Sequence, residues 1–91
     1  MPTLDLDSGW DLHPQVSVRP EPFGALLYHF GTRRLSFLKD RTLLAVVQSL
    51  SGAPTARVAC TTAGIGESDL PRYQRALATL AGSSMVVERR S

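Results

Sequence analysis

Apolar and polar residues alternate over the first half of the chain, the pattern of short β-strands with one covered face. A first strand is predicted over 16–19, where Val-Ser-Val-Arg alternates before the Pro-Glu-Pro of 20–22. A second run over 25–30 and a return run over 35–38 flank Gly31-Thr32, which suits a two-residue hairpin loop with a residue at positive φ. These runs predict a hairpin extended by one further strand.

The spacing of apolar residues becomes helical after the predicted hairpin. Asp40 is the expected N-cap of a first helix and Thr55 that of a second, with a Ser-Gly-Ala-Pro stop signal at 51–54 between them. A third helix is predicted to begin near Ser68 to Pro71 and to be broken by Gly82-Ser83-Ser84. The apolar stripes of the three helices are Leu43, Val46, Val47 and Leu50; Ala56, Ala59, Cys60 and Ala63; and Leu70, Tyr73, Leu77 and Leu80.

Three strands followed by three helices predict an α+β fold, in which a three-stranded antiparallel sheet precedes a winged helix-turn-helix-like bundle. Met85-Val86-Val87 is expected as a last extended piece, a vestigial wing. Residues 1–9 lack a sustained period and are expected to form a flexible lead-in. The folded domain is predicted over 10–88, and a basic C-terminal end over 89–91.

Length and composition fit a single small domain. The chain has 91 residues, of which 43% are apolar, and its apolar runs fall far short of the roughly 20 residues of a membrane helix. The N-terminus lacks the basic start and apolar block of a secretory signal, and the single Cys60 suits a reducing compartment. We therefore expect a cytoplasmic protein.

The charges are distributed unevenly. Ten basic and eight acidic residues give a net charge of +2, and nine of the ten bases are arginine. Residues 1–22 carry four acids and one base, whereas residues 23–91 carry nine bases and four acids. Because arginine forms forked hydrogen bonds with carboxylates and phosphates, the pattern favours an acidic partner. The alternative is that these arginines only solvate the surface.

Candidate catalytic groups are weak. His13 and His29 have no cysteine or acid at metal-ligand spacing, and Cys60 lies on the presumed buried side of the second helix, where its pKa would be raised. The Gly64-Ile65-Gly66 segment lacks the preceding strand and the following lysine of a phosphate-binding loop. We therefore predict no catalytic residue, no metal site and no cofactor.

DNA binding is the main alternative among binding functions. Arg72, Gln74 and Arg75 on the third helix are residue types that contact bases or phosphates in a winged helix-turn-helix. Glu67 and Asp69 at the start of the same helix would repel phosphates. The small net charge also argues against a DNA-binding protein, so this function remains the alternative.

One long segment resembles a known family. The run from His13 to Gly31, HPQVSVRPEPFGALLYHFG, followed by Leu35-Ser36-Phe37-Leu38 and the helices, resembles the MftB-type chaperones of mycofactocin biosynthesis, which belong to the PqqD-like recognition elements for ribosomal precursor peptides. The resemblance extends from Trp10 to about Val87. It does not cover the acidic lead-in or the basic end, Glu88-Arg89-Arg90-Ser91.

The resemblance implies a non-catalytic adaptor. Such a protein binds the leader of a short acidic precursor peptide as a strand added to its third strand, beside the third helix, and presents the peptide's C-terminal Val-Tyr end to a radical-SAM maturase. An exposed strand edge would allow this pairing by main-chain hydrogen bonds. A monomer or a strand-swapped dimer is compatible with such a domain.

On this chain the expected peptide-binding residues lie on the third strand and the third helix. They are Arg33, Arg34, Leu35, Ser36, Phe37 and Leu38, and Leu70, Tyr73, Gln74 and Leu77, with Arg72 and Arg75 as a basic rim. Two alternatives stay open. A domain this small has few spare apolar residues, which favours Leu35, Phe37, Leu70, Leu77 and Leu80 as core. Arg33 and Arg34 are alternatively charges that protect the strand edge from aggregation.

Overall fold

The structure, a computed structural model, describes residues 4–89. Its strands are β1 (Trp10–Leu12), β2 (Val16–Glu21), β3 (Gly24–His29), β4 (Arg34–Leu38) and β5 (Val86–Glu88). Its helices are α1 (Arg41–Ser49), α2 (Ala56–Thr62) and α3 (Leu70–Gly82), with a 3-10 turn (Leu50–Gly52) after α1. The predicted α+β class, with a three-stranded antiparallel sheet and three helices, is confirmed. No helix within residues 4–89 is long and apolar enough to cross a lipid bilayer.

The main sheet has the order β2-β3-β4, so β4 lies at one edge. All pairs are antiparallel, and Leu27 of β3 stands opposite both Val18 of β2 and Ser36 of β4. Ala25, Leu27 and Leu38 point to the side covered by the helices, where they join the hydrophobic core. Alternation along the strands leaves the other face of the sheet without a covering helix.

A second, two-stranded sheet was not predicted. β5 pairs antiparallel with β1, so that Trp10 stands opposite Glu88 and Leu12 opposite Val86. Residues 86–88 therefore join the two ends of the domain rather than forming a wing. Each strand has only three residues, which is too short for alternation to reveal a pairing partner.

Arg89 belongs to this closure, although the sequence pattern places it in a basic C-terminal end. Its Nη2 lies 2.9 Å from three acceptors, the carbonyl oxygens of Trp10 and Leu50 and Asp11 Oδ1, which share its two N–H groups. A guanidinium can satisfy several carbonyl oxygens at once because its donors are fixed in one plane. Residues 90 and 91 lie outside the described range.

The helix caps follow the prediction. Asp40 Oδ1 accepts from the backbone N–H of Thr42 at 2.8 Å, and Thr55 Oγ1 accepts from that of Val58 at 3.1 Å. These bonds satisfy N–H groups that have no partner within the first turn of a helix. The start of α3 differs, because the side chain of Asp69 makes no capping bond.

Residues 4–9 pack against the helices, whereas the sequence pattern predicts a flexible lead-in over 1–9. Leu4 and Leu6 are buried in the core. The Leu6 carbonyl accepts from the N–H of Arg57 at 2.8 Å, and Gln74 Nε2 donates to the Leu4 carbonyl at 2.7 Å. The sequence signal for this packing was the alternation of Leu4 and Leu6 with Asp5 and Asp7. A pattern of four residues is too short to predict an ordered segment. Residues 1–3 lie outside the described range.

The hairpin loop also differs from the prediction. Residues 30–33 connect β3 to β4, and the positive φ belongs to Arg33, at 62°, rather than to Gly31 or Thr32. Gly31 is needed for another reason: a Cβ there would collide with the side chains of Gln15 and His29. His29 Nδ1 accepts from the N–H groups of Gly31 and Thr32, at 3.0 and 3.1 Å, and so organises the loop.

Candidate functional site

The outer edge of β4 is open in the part of the chain that the structure describes, because β3 is the only strand that pairs with it there. An unpaired edge offers a row of main-chain donors and acceptors to a further strand. This is the position that the sequence predicts for an added peptide strand. The geometry of β4 determines which of its groups are available.

Two backbone hydrogen bonds establish the orientation of these groups. The N–H of Phe30 donates to the carbonyl of Gln15 at 2.8 Å, towards β2, and the carbonyl of His29 accepts from Arg33 at 2.7 Å, towards β4. Main-chain groups of successive strand residues point to opposite sides. The main-chain N–H and C=O groups therefore point towards β4 at His29, Leu27 and Ala25. They form hydrogen bonds with the main chain of the residues opposite, which are Arg34, Ser36 and Leu38.

It follows that Leu35 and Phe37 direct their N–H and C=O groups to the open edge. The opposite edge of the sheet provides a check on this assignment. Pro20 of β2 stands opposite Ala25, whose main-chain groups point towards β4. No hydrogen bond between β2 and β3 is therefore expected at this pair, and the missing N–H of Pro20 interrupts none. The same proline removes a donor from the free edge of β2, whereas β4 contains no proline.

The side chains of Leu35 and Phe37 lie on the uncovered face of the sheet. They are 53% and 62% exposed, which excludes the alternative that they belong to the core. They continue a surface that we call the outer apolar face. Its members are Phe23, Leu26, Tyr28, Phe30, Leu35 and Phe37.

Aromatic contacts hold the outer apolar face together. The rings of Phe23 and Phe37 have centroids 6.1 Å apart, and Tyr28 and Phe30 pack edge to face at 4.9 Å. The sequence prediction did not include Phe23, Tyr28 or Phe30 in the site. The available signal was the alternation over 25–30, which places residues 26, 28 and 30 together on one face of β3.

On the inner side of β4, three of the side chains that were expected to line a peptide groove with α3 are buried. Leu38, Tyr73 and Leu77 are 2%, 6% and 1% exposed, and all three belong to the hydrophobic core. A domain of this size has few apolar residues beyond those its core requires. Three of the predicted peptide-binding side chains are therefore packed inside the protein.

Two other predicted residues, Leu70 and Gln74, lie elsewhere. They line a shallow, open pocket of about 380 Å³ together with Leu6 and Arg57. The amide of Gln74 is occupied by its hydrogen bond to the Leu4 carbonyl. This pocket lies between α3, α2 and the N-terminal segment, so the structure does not bring these two residues to the β4 edge.

A hydrogen-bonded group connects α3 to the end of β4. Tyr73 Oη donates to Asp40 Oδ2 at 2.6 Å, and Arg72 Nη2 donates to Tyr73 Oη at 3.2 Å. The hydrogen bond from Tyr73, together with the N–H groups of Thr42 and Leu43, lowers the pKa of Asp40, and the same bond raises the pKa of Tyr73. Both arginines predicted as a rim are exposed, and the guanidinium of Arg72 also contacts the Tyr73 ring and hydroxyl.

The β4 edge is basic. Arg33, Arg34 and Lys39 are exposed, and none of them forms a salt bridge within residues 4–89. The acidic N-terminal segment does not neutralise them, because Asp7 pairs with Arg57 at 2.8 Å and Asp11 with Arg89 at 2.9 Å. The uneven charge distribution therefore becomes a basic strand edge in three dimensions.

The described residues offer little for catalysis. No group of three or more His, Cys, Asp or Glu side chains in residues 4–89 is placed to hold a metal ion. Burial raises the pKa of the Cys60 thiol, which disfavours the thiolate that a nucleophile requires. His29 is buried with its Nδ1 occupied by the loop. Within residues 4–89, the β4 edge and the outer apolar face adjoin each other and offer main-chain and apolar groups to a partner.

Comparisons with known proteins point to one family. A family model described as "Peptide chaperone MftB family" matches residues 9–87. The chain is 63% identical over 88 residues to a Mycobacterium tuberculosis protein named "Peptide chaperone MftB", covering 97% of this chain and 81% of the relative. It is 56% identical over 85 residues to a Mycolicibacterium smegmatis protein of the same name, covering 93% and 83%. No solved structure matches the chain.

Proposed function

The chain belongs to the peptide chaperone MftB family, and we propose that it binds the leader region of the mycofactocin precursor peptide as a strand added to β4. It holds the peptide without changing it chemically and delivers it to a radical-SAM maturase in the cytoplasm. The observation that carries the proposal is the open edge of β4, with the main-chain groups of Leu35 and Phe37 directed outward.

Strand addition explains how a protein of this size would hold a peptide without a deep pocket. Each added main-chain hydrogen bond contributes roughly 0.5–1.5 kcal/mol, and the alternate side chains of the guest provide specificity. Two outward residues supply up to four such bonds, because each offers one donor and one acceptor. The free edge of β2 lacks one main-chain donor because of Pro20, which favours β4 as the site of addition.

The charge of the edge supports an acidic guest. Arg33, Arg34 and Lys39 flank the outward groups and have no acidic partner within residues 4–89. Opposite charges accelerate encounter and disfavour basic peptides. The expected partner is therefore an acidic leader rather than a neutral or basic one.

DNA binding is less well supported by the geometry. Of the three residues on α3 that would contact DNA, Gln74 is bonded to the Leu4 carbonyl and Arg72 contacts Tyr73. The segment expected as a wing after α3, β5, pairs with β1 in the described residues. A winged helix-turn-helix function would thus rely on Arg75 and the partly engaged Arg72, because Gln74 is already bonded, where several contacts are needed.

The proposal is tested by calorimetric titration with a synthetic precursor peptide, a scrambled peptide of equal charge, and a random DNA duplex at two salt concentrations. The main variant is Phe37→Pro, which removes an outward N–H at an edge position that tolerates proline. We expect selective binding of the precursor peptide by the wild type and a loss of more than about tenfold in affinity for Phe37→Pro.

Ser36→Pro is the matched variant, because the N–H of Ser36 faces β3. It is expected to disrupt the hairpin itself, which circular dichroism would detect, whereas Phe37→Pro keeps its fold. Equal affinity of folded Phe37→Pro and wild type would contradict strand addition at β4. Binding only to DNA, with a steep loss of affinity in salt, would instead support the helix-turn-helix alternative.

A further inference from the structure

A strand added to β4 would place its side chains alternately on the two faces of the sheet. Residues that stand directly opposite each other in neighbouring strands share a face. Guest residues opposite Leu35 and Phe37 therefore point to the uncovered face, and the guest residue opposite Ser36 points to the helix side. The surroundings differ between these two faces, and this difference determines which guest side chains are recognised.

The helix side offers a guest little apolar surface. Of the inward-facing residues of β4, Arg34 is charged and exposed, Ser36 is small and polar, and Leu38 is buried in the core at 2% exposure. Behind them, Tyr73 is buried and its hydroxyl is bound to Asp40. A large apolar guest side chain on this side would gain little, because Leu38 and Tyr73 are already packed in the core and leave little apolar surface to cover.

The uncovered side offers apolar surface that is already exposed to water. Leu35 and Phe37 stand two residues apart on the strand that would pair with the guest, and Phe23 lies next to Phe37 with ring centroids 6.1 Å apart. An apolar guest side chain placed there would cover both partners without any rearrangement of the core. Cross-strand pairs of aromatic and aliphatic residues are a favourable combination in antiparallel sheets.

We infer that the β4 part of the outer apolar face, Leu35 and Phe37, selects the guest: the bound segment is an extended acidic peptide with apolar side chains at two positions i and i+2, which pack on these two residues. This inference rests on the proposed strand addition and specifies which side chains of the peptide are read. It moves side-chain recognition from the expected groove beside α3 to the opposite face of the sheet.

Charge complementarity identifies the occupant as an acidic peptide rather than a second copy of this chain. Antiparallel pairing of two β4 strands centred on Ser36 would bring Arg33 and Arg34 of each copy towards Lys39 of the other. None of these basic residues has an acidic partner within residues 4–89, so the two edges would repel each other. An acidic guest would instead neutralise both ends of the edge.

The test combines protein variants with a serine scan of the synthetic precursor peptide. Leu35→Ser and Phe37→Ser keep the outward N–H groups and remove the apolar side chains, so each is expected to weaken binding by roughly tenfold. Phe30→Ser is the matched control, because Phe30 is 60% exposed on the same face but lies outside β4. It is expected to change affinity less than about twofold.

The peptide scan should find two sensitive apolar positions separated by one residue. A double-mutant cycle between Phe37→Ser and one of these positions should show strong coupling, whereas a cycle with Phe30→Ser should show none. Sensitive positions spaced by three or four residues, or no coupling to Leu35 or Phe37, would overturn the inference.

The same set of variants separates this inference from the proposed function. If Phe37→Pro abolishes binding while Leu35→Ser and Phe37→Ser bind as the wild type does, strand addition stands and the role of the outer apolar face is wrong. If the wild type does not bind the precursor peptide, the proposed function fails and the inference fails with it.

Discussion

The two faces of β4 differ in what they contact. On the inner face, Leu38 is packed against the helices, and the strand runs into Asp40, which caps α1 and accepts a hydrogen bond from Tyr73. On the outer face, Leu35 and Phe37 are more than half exposed. One five-residue strand thus carries a side chain that is buried in the core and side chains that remain largely exposed to solvent.

This difference indicates how stability and recognition are divided in a small domain. A domain of about 90 residues buries only some 60–65% of the surface of its unfolded chain, so each buried apolar residue matters for folding. Apolar residues left in contact with water have no such role, and large exposed patches of them mark interaction sites. Substitutions on the inner face should therefore change the free energy of unfolding, and substitutions on the outer face should change the affinity for the peptide.

The largest effect is expected from Leu38→Ala, compared with Phe37→Ala at the adjacent position. Loss of the buried Leu38 side chain should lower the free energy of unfolding by about 3 kcal/mol, because it leaves a cavity. Phe37→Ala should change stability by less than about 0.5 kcal/mol. Urea denaturation of the two variants measures both values.

Peptide titration of the same pair sharpens the comparison. Under conditions where Leu38→Ala is still folded, it should bind the precursor peptide as the wild type does, whereas Phe37→Ala should bind more weakly. Similar losses of stability in the two variants would mean that the outer face is also part of the core in solution, and the distinction between the faces would fail.

An intermediate effect is expected for Asp40→Asn, which removes the charge at the inner end of β4. The hydrogen bond from Tyr73 lowers the pKa of Asp40 in the folded protein. A depressed folded pKa means that the carboxylate stabilises the fold above the unfolded pKa, near pH 4, and that this contribution is lost as the pH falls. Asp40→Asn should therefore be about 1–2 kcal/mol less stable than wild type at pH 7, with a smaller difference at pH 3.

Asp69→Asn is the control for this measurement. Asp69 occupies the N-cap position of α3 without a side-chain capping bond, so its substitution should leave stability nearly unchanged at both pH values. Asp40→Asn should also keep the affinity for the precursor peptide. A change of more than a few-fold would show that the inner end of β4 takes part in binding, contrary to the division proposed for the two faces.

The strands and helices were predictable because their signals are local. Alternation over 16–19 and 25–30, and the caps Asp40 and Thr55, each act within a few residues of the chain. The pairing of β1 with β5 and the packing of Leu4 and Leu6 were not predictable. They depend on contacts between segments some 70 residues apart, which three-residue strands and two leucines do not encode in any pattern.

The candidate site was predictable as a strand but not as a surface. The run of 33–38 and its basic charge identified the edge, whereas period-two alternation alone does not tell which face the helices cover. Leu35 and Leu38 look alike in sequence, yet one is exposed and the other buried. The helix residues Tyr73 and Leu77 were assigned to a groove for the same reason. An apolar stripe predicts that one face of a helix is buried, but it does not distinguish burial in the core from burial by a bound peptide.

The smallest expected effect comes from Arg33→Gly at the tip of the hairpin. Arg33 has a φ of 62°, a left-handed conformation that glycine adopts without the steric cost borne by a residue with a Cβ. The variant should therefore be more stable than wild type by roughly 0.5–1 kcal/mol in urea denaturation. Arg34→Gly removes the same charge inside β4, where glycine weakens a strand, and should be less stable by a similar amount.

Both glycine variants lose one basic group of the edge, so both should bind the precursor peptide about two- to threefold more weakly at low salt and equally at high salt. A gain in stability together with a loss in affinity for Arg33→Gly would mean that this arginine is kept for the guest despite its unfavourable backbone. Unchanged affinity in both variants would assign the two arginines to edge protection instead, and recognition would then rest on the outer apolar face and the main-chain groups of β4 alone.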